Sequence, residues 1–168
     1  MPHPLRHPER DRAAVPRVPV LCGAPYRLCA MPDLGALAGP DPRRQHVVDH
    51  GFLQETHGAW LLWACMRGTA CGRVLYAWRG AGFDGSAWRP VGVAARADAA
   101  WREIAEPGNE VIGAPFFVRD GARTLCFYHS GTVRVMERQP DGSFARTAWS
   151  EHDRSEERRV GKECRSRW

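Results

Sequence analysis

The sequence predicts an all-β protein, a partial β-propeller of about two four-stranded antiparallel blades. Three observations carry this expectation. Strand-length runs rich in Val, Leu, Trp, Phe and Tyr follow one another from His46 to Trp149. Turn pairs separate them, namely His57-Gly58, Asp120-Gly121 and Asp141-Gly142; an Asp-Gly pair supplies the positive φ of a tight hairpin. The series then repeats itself once, at offsets of about 61 to 65 residues, and a repeated four-stranded unit is the signature of a propeller blade.

The elements are expected in a definite order. His46–Gln54 opens the first unit, and Ala59–Met66 follows the His57-Gly58 turn. Arg73–Trp78 alternates as a third strand, and Trp88–Ala95 makes a fourth after a loop carrying Gly82, Asp84 and Gly85. A polar connection runs from Asp98 to Asn109. The second unit is Ile112–Arg119, Thr124–His129, Val133–Arg138 and Phe144–Trp149. In the repeat, Val47-Val48-Asp49-His50-Gly51 corresponds to Ile112-Gly113-Ala114-Pro115-Phe116, and Arg73-Val74-Leu75-Tyr76 to Arg134-Val135-Met136-Glu137. One such sheet cannot bury both faces alone, so stacked neighbours must share a core. A β-sandwich of about eight strands is the competing architecture.

Before His46 the pattern is weak. Residues 1–45 hold nine of the chain's 13 prolines, which favours loop or extended chain over helix. Val18–Leu21 reads at best as an edge strand. The partial propeller is assigned to residues 46–153, with one blade at about 46–96 and the next at about 112–149. The last fifteen residues, Arg154–Trp168, resemble one reading frame of a short-read sequencing adapter, and Lys162 within them is the chain's only lysine. They are expected to be artefactual, and the chain to be a truncated piece of a larger protein.

Charge and cysteine content exclude some classes. The tail carries six Arg/Lys against three Asp/Glu, so only +2 of the formal +5 belongs to the other 153 residues. That is no nucleic-acid footprint. No run of 18 apolar residues offers a transmembrane helix. No secretory signal is visible, and cytoplasmic and secreted locations both stay open. Cys22, Cys29, Cys65, Cys71 and Cys126 are odd in number and lie in apolar stretches, so they read as buried or half-buried free thiols rather than a disulfide framework. Their spacing is too wide for the short ligand pairs of structural zinc sites. No metal or cofactor is expected.

Two stretches carry a family resemblance. Asp49, followed by Gly58-Ala-Trp-Leu-Leu-Trp63, resembles the first blade of the five-bladed propeller glycosidases, especially glycoside hydrolase family 43. Gly113-Ala-Pro-Phe-Phe-Val-Arg-Asp-Gly121, with Leu125-Cys-Phe-Tyr-His-Ser130, resembles that family's second blade. Cys65 to Trp78 also looks like an uncharacterised group of these propellers. The resemblance covers about His46 to Trp149, two blades of five. It implies a glycan substrate and a set of three carboxylates: a general base on blade one, an orienting Asp on blade three and a general acid on blade four. Inversion needs the acid and base on opposite sides of the sugar, with the acid's pKa raised so that it keeps its proton.

Only the first of these has a counterpart, Asp49, which the resemblance makes the general base. The family's Asp-Pro is Asp49-His50 here, so His50 stands beside the candidate base. Arg67 at the end of the second strand, and His129 at the matching place in the second unit, are candidate substrate contacts. Each has a plainer reading: Asp49 as a strand-start cap, Arg67 and His129 as surface or inter-blade partners. Trp60, Trp63 and Trp78 suit an inter-blade core better than sugar stacking. Asp98, Glu103, Glu106 and Glu110 read as solvated loop charge rather than a calcium site. The expected parent is a glycan-hydrolysing enzyme of which this chain alone is inactive. The alternatives are a non-catalytic carbohydrate- or protein-binding propeller and a spurious gene fragment without function.

Overall fold

The structure, a computed structural model, describes residues 24–83 and 88–150. The expected Val18–Leu21 strand, Cys22, Asp84, Gly85 and the Arg154–Trp168 tail lie outside the described residues. Among those described, ten strands form and no α-helix does. The strands are β1 (His46–Gln54), β2 (Trp60–Thr69), β3 (Gly72–Gly80), β4 (Arg89–Ala95), β5 (Ile104–Glu106), β6 (Asn109–Val111), β7 (Gly113–Asp120), β8 (Arg123–Ser130), β9 (Thr132–Arg138) and β10 (Phe144–Ser150). The all-β class expected from the pattern is the class observed.

The first sheet departs from a simple four-stranded blade. β1, β2, β3 and β4 form an antiparallel meander, but β6 joins β3 in parallel through Gly72 and Glu110, and β5 pairs with β6. The sheet therefore has six strands and is mixed. The expected polar connection from Asp98 to Asn109 is thus structured, as a 3-10 turn at Ala99–Trp101 and the β5–β6 hairpin. Gly72 makes the parallel join possible: a Cβ there would stand 2.5 Å from the Glu110 amide nitrogen. The second sheet is the uninterrupted meander β7-β8-β9-β10.

Alternation along β2 and β3 explains the packing. Leu61, Trp63 and Cys65 with Leu75 and Ala77 face the second sheet, where they meet Cys126, Tyr128 and Met136. Leu62, Ala64 and Met66 with Val74, Tyr76 and Trp78 face the opposite way. Both faces of these two strands are buried, so they read as nearly continuous apolar runs. The second face is covered by the segment that looked unpatterned: Leu28, Cys29, Leu34 and Leu37 pack on it. Ala38 bridges to Thr69, and the Leu37 carbonyl accepts from the Ala70 amide at 2.9 Å. Trp63 and Trp78 are buried and Trp60 half-buried, all in the two apolar clusters.

The two meanders share one backbone irregularity. In β1 the pairing runs Val48–Cys65 and then His50–Ala64, so Asp49 is an extra residue. In β7 it runs Gly113–His129 and then Phe116–Phe127, again with one residue too many. Asp49 has φ +36° and Ala114 φ +50°, two of the three non-glycine positive-φ residues among those described. These are the positions that the repeat aligns. A bulge at the start of an edge strand bends it and turns the following side chains over.

The sheets meet along β1 and β7. A Cβ on Gly51 would stand 2.5 Å from the Pro115 carbonyl oxygen, so only glycine allows that approach. Arg138 and Arg79 both pair with Glu55, at 2.6 and 3.0 Å, tying the far ends of the sheets together. The other face of the second sheet carries Phe116, 64% exposed, and a Phe127–Trp149 edge contact.

Candidate functional site

Asp49 is exposed at the bulge in β1. A Cβ on Gly113 would come 3.9 Å from Asp49 Oδ2 and 3.3 Å from Cys65 Sγ. Glycine at 113 thus leaves space for both groups. No ion pair to Asp49 occurs among the described residues.

The bulge separates Asp49 from its neighbour. His50 is exposed and meets Phe52 edge-on at 5.3 Å. It lines an apolar groove of about 340 Å³ with Leu28, Met31, Val47 and Trp78, on the face away from the second sheet. His129 is exposed too; it follows Tyr128, whose side chain enters the shared core, and so it turns to the outer face of its sheet. Of the four sequence candidates, Asp49 and Arg67 share a face, while His50 and His129 point elsewhere.

Arg67 opens onto a second feature that the sequence did not signal. Arg43, Arg44, His46, Arg67 and Arg73, with Asn109 and Glu110, line a cleft of about 460 Å³. His46 sits opposite Arg67 in the β1–β2 register, and Arg67 and Arg73 follow the Met66–Val74 pair on β2 and β3. His46 and Arg67 thus stand in one row, one step beyond the Val48–Cys65 pair, and Arg73 on β3 adjoins them across an irregular stretch in which β2 carries one extra residue. Arg44 is brought to the mouth by the Pro42–Arg44 turn, which Asp41 caps by accepting from the Arg43 amide at 3.0 Å. That turn presses on Gly68, where any side chain would collide with the Arg44 carbonyl. Arginine is common throughout this chain, so only the strand register reveals the row.

Two of the four connector carboxylates, Glu103 and Glu110, are structural, contrary to their reading as solvated loop charge, whereas Glu106 is exposed. Glu103 is buried and accepts from Arg146 Nε at 2.8 Å, Arg146 Nη2 at 2.9 Å and Tyr128 Oη at 2.5 Å. The Asp98 amide adds a fourth bond at 2.9 Å. Glu110 is buried as well, and both its carboxylate oxygens accept from Arg96. Among the described residues no group of three or more His, Cys, Asp and Glu has the geometry of a metal site.

The thiols are chemically quiet. Cys65, Cys71 and Cys126 are buried, Cys29 is half-buried, and all are free. Burial pushes the Cys126 thiol up to about 12. Burial also raises Cys65, against the pull of Arg67 and Arg73 and with a push from Asp49. Tyr128 is raised too, first by burial and then by its bond to Glu103.

No protein-family model matches the chain, and no curated protein matches it in sequence.

Proposed function

We propose that this chain is the two-blade part of a five-bladed propeller that hydrolyses glycosides, with Asp49 as general base. The observation that carries the reading is the shared bulge. Asp49 and Ala114 occupy the same aligned position in two meanders, with φ of +36° and +50°. Each lies in the first half of the first strand of its meander, and those two strands lie side by side. Propeller blades surround a central channel, and under this reading Asp49, on the first strand of its blade, stands at the channel mouth. It is exposed and has no ion-pair partner among the described residues, as a base that must take a proton from water requires.

Inversion needs a second carboxylate at roughly 6.5–9.5 Å. Glu103 and Glu110 are each held by an arginine, so neither is free to act as the acid. The reading assigns the acid and the orienting Asp to blades three and four, outside this chain. The chain alone is then inactive, and the parent is active. A non-catalytic glycan-binding propeller is the second reading, favoured by Asp49-His50 where the resembled motif has Asp-Pro.

The test is turnover by the full-length parent on a panel of oligosaccharides, beside its Asp49→Asn variant. The substitution keeps the shape and removes the base, so the rate is expected to fall about 10²–10⁴-fold. Equal turnover by both proteins removes Asp49 from the mechanism. Binding without turnover in either supports the second reading.

A further inference from the structure

We infer that the cleft lined by His46, Arg67 and Arg73 binds the carboxylate of an acidic sugar, so that the glycan recognised is one bearing uronic acid. The inference rests on the glycan reading above and names its substrate class.

The cleft carries uncompensated charge. Like charges brought close together repel, and here Arg43, Arg44, Arg67 and Arg73 line one space. The cleft's one carboxylate, Glu110, gives both oxygens to Arg96. Arg43 at the rim pairs with Asp41. Arg44, Arg67 and Arg73 have no carboxylate partner among the described residues. Arg67 Nε is buried without a hydrogen-bond partner, a costly state for a charged group unless an acceptor enters.

The shape of the cleft also fits. A guanidinium presents two parallel N–H donors that match the two oxygens of a carboxylate. Two such forks line a space of about 460 Å³, large enough for a sugar ring. His46 Nδ1 lies 2.7 Å from the Arg44 carbonyl oxygen, which can only accept, so Nδ1 carries the proton and Nε2 can accept from a hydroxyl of the sugar ring. Asn109 adds a neutral amide at the rim.

The cleft lies close to the proposed base along the strands. Asp49 Oδ2 and Cys65 Sγ both border the Gly113 backbone, within 3.9 and 3.3 Å of where a Cβ would stand, and Arg67, two residues beyond Cys65 on β2, pairs with His46 on β1. A sugar whose acid group lies between the arginines would present its ring towards Asp49.

The experiment is calorimetric titration of the whole 168-residue chain with galacturonate and glucuronate oligosaccharides, and with the neutral galactose and glucose oligosaccharides of equal length. Inorganic sulfate and a short single-stranded oligonucleotide are titrated in parallel. Uronate binding that Arg67→Gln and Arg73→Gln each weaken by roughly 10–100-fold is expected. Arg67→Lys should retain part of it, and Arg89→Gln, which removes the same charge from the β4 edge, should leave it unchanged. Circular dichroism of each variant separates lost binding from lost fold. Neutral oligosaccharides bound as tightly as uronates, with no effect of Arg67→Gln, would overturn the acidic-sugar inference and leave the glycan reading standing. Failure of every sugar to bind a folded chain overturns the acidic-sugar inference, and turnover by the full-length parent then decides the glycan reading separately. Tighter binding of sulfate or of the oligonucleotide than of uronate also overturns the inference, because the site then reads phosphate-like charge and not a sugar acid.

Discussion

At the scale of single residues, backbone strain marks the repeat more clearly than side chains do. Alanine has no side-chain group to offset a left-handed conformation, whereas aspartate can bond locally. Ala114 at φ +50° is therefore held there by its surroundings: Pro115 after it and the β7–β8 pairing on either side. Ala114→Gly should relieve about 1–2 kcal/mol of strain against an entropic cost of about 0.5–1 kcal/mol. A net rise of up to about 1 kcal/mol in unfolding free energy is expected, read from urea denaturation. A fall in stability would mean that the methyl group packs usefully and that the bulge is not strained.

Among the elements, the contact between β1 and β7 matters most, because it joins the two meanders. It depends on Gly51, which leaves space for the Pro115 carbonyl. Gly51→Ala introduces a methyl group where no void exists, and overpacking of this kind costs about 1–3 kcal/mol. Thermal unfolding of the variant should show that loss, and hydrogen exchange should show faster opening of β7 than of β3. The β1 boundaries were legible because His46–Gln54 lies between a proline-rich segment and a turn. The β2 end was not. The apolar pattern stops at Met66, but the strand runs to Thr69, where Oγ1 donates to the Gly72 carbonyl at 2.9 Å. The β5–β6 hairpin was missed for a related reason. Its strands have three residues each, too few to show a period, and the parallel join to Gly72 is a long-range event.

For the whole molecule, the layering is unequal. The first sheet is covered on both faces, by the segment from Leu28 to Leu37 and by the second sheet. The second sheet is covered on one face only by described residues, and its other face presents Phe116, 64% exposed. Under the propeller reading that face meets a third blade. The isolated chain should then self-associate with rising concentration. Phe116→Ser should reduce this in sedimentation velocity without a change in the circular dichroism spectrum. A chain that stays monomeric at high concentration, with Phe116 in place, argues against an inter-blade role for this surface.

The sequence alone determined the all-β class, the order of eight principal strands and the alignment of Asp49 with Ala114. These follow from local information: period-two alternation, turn chemistry and a repeat. It did not determine that Glu103 and Glu110 are buried, that His50 turns away from Asp49, or that His46, Arg67 and Arg73 converge on one cleft. Tertiary structure decided these, because burial of a charge depends on which arginine arrives from another strand. Which face a side chain takes depends on a single extra residue in a bulge, and such a cleft exists only once the register of three strands is fixed.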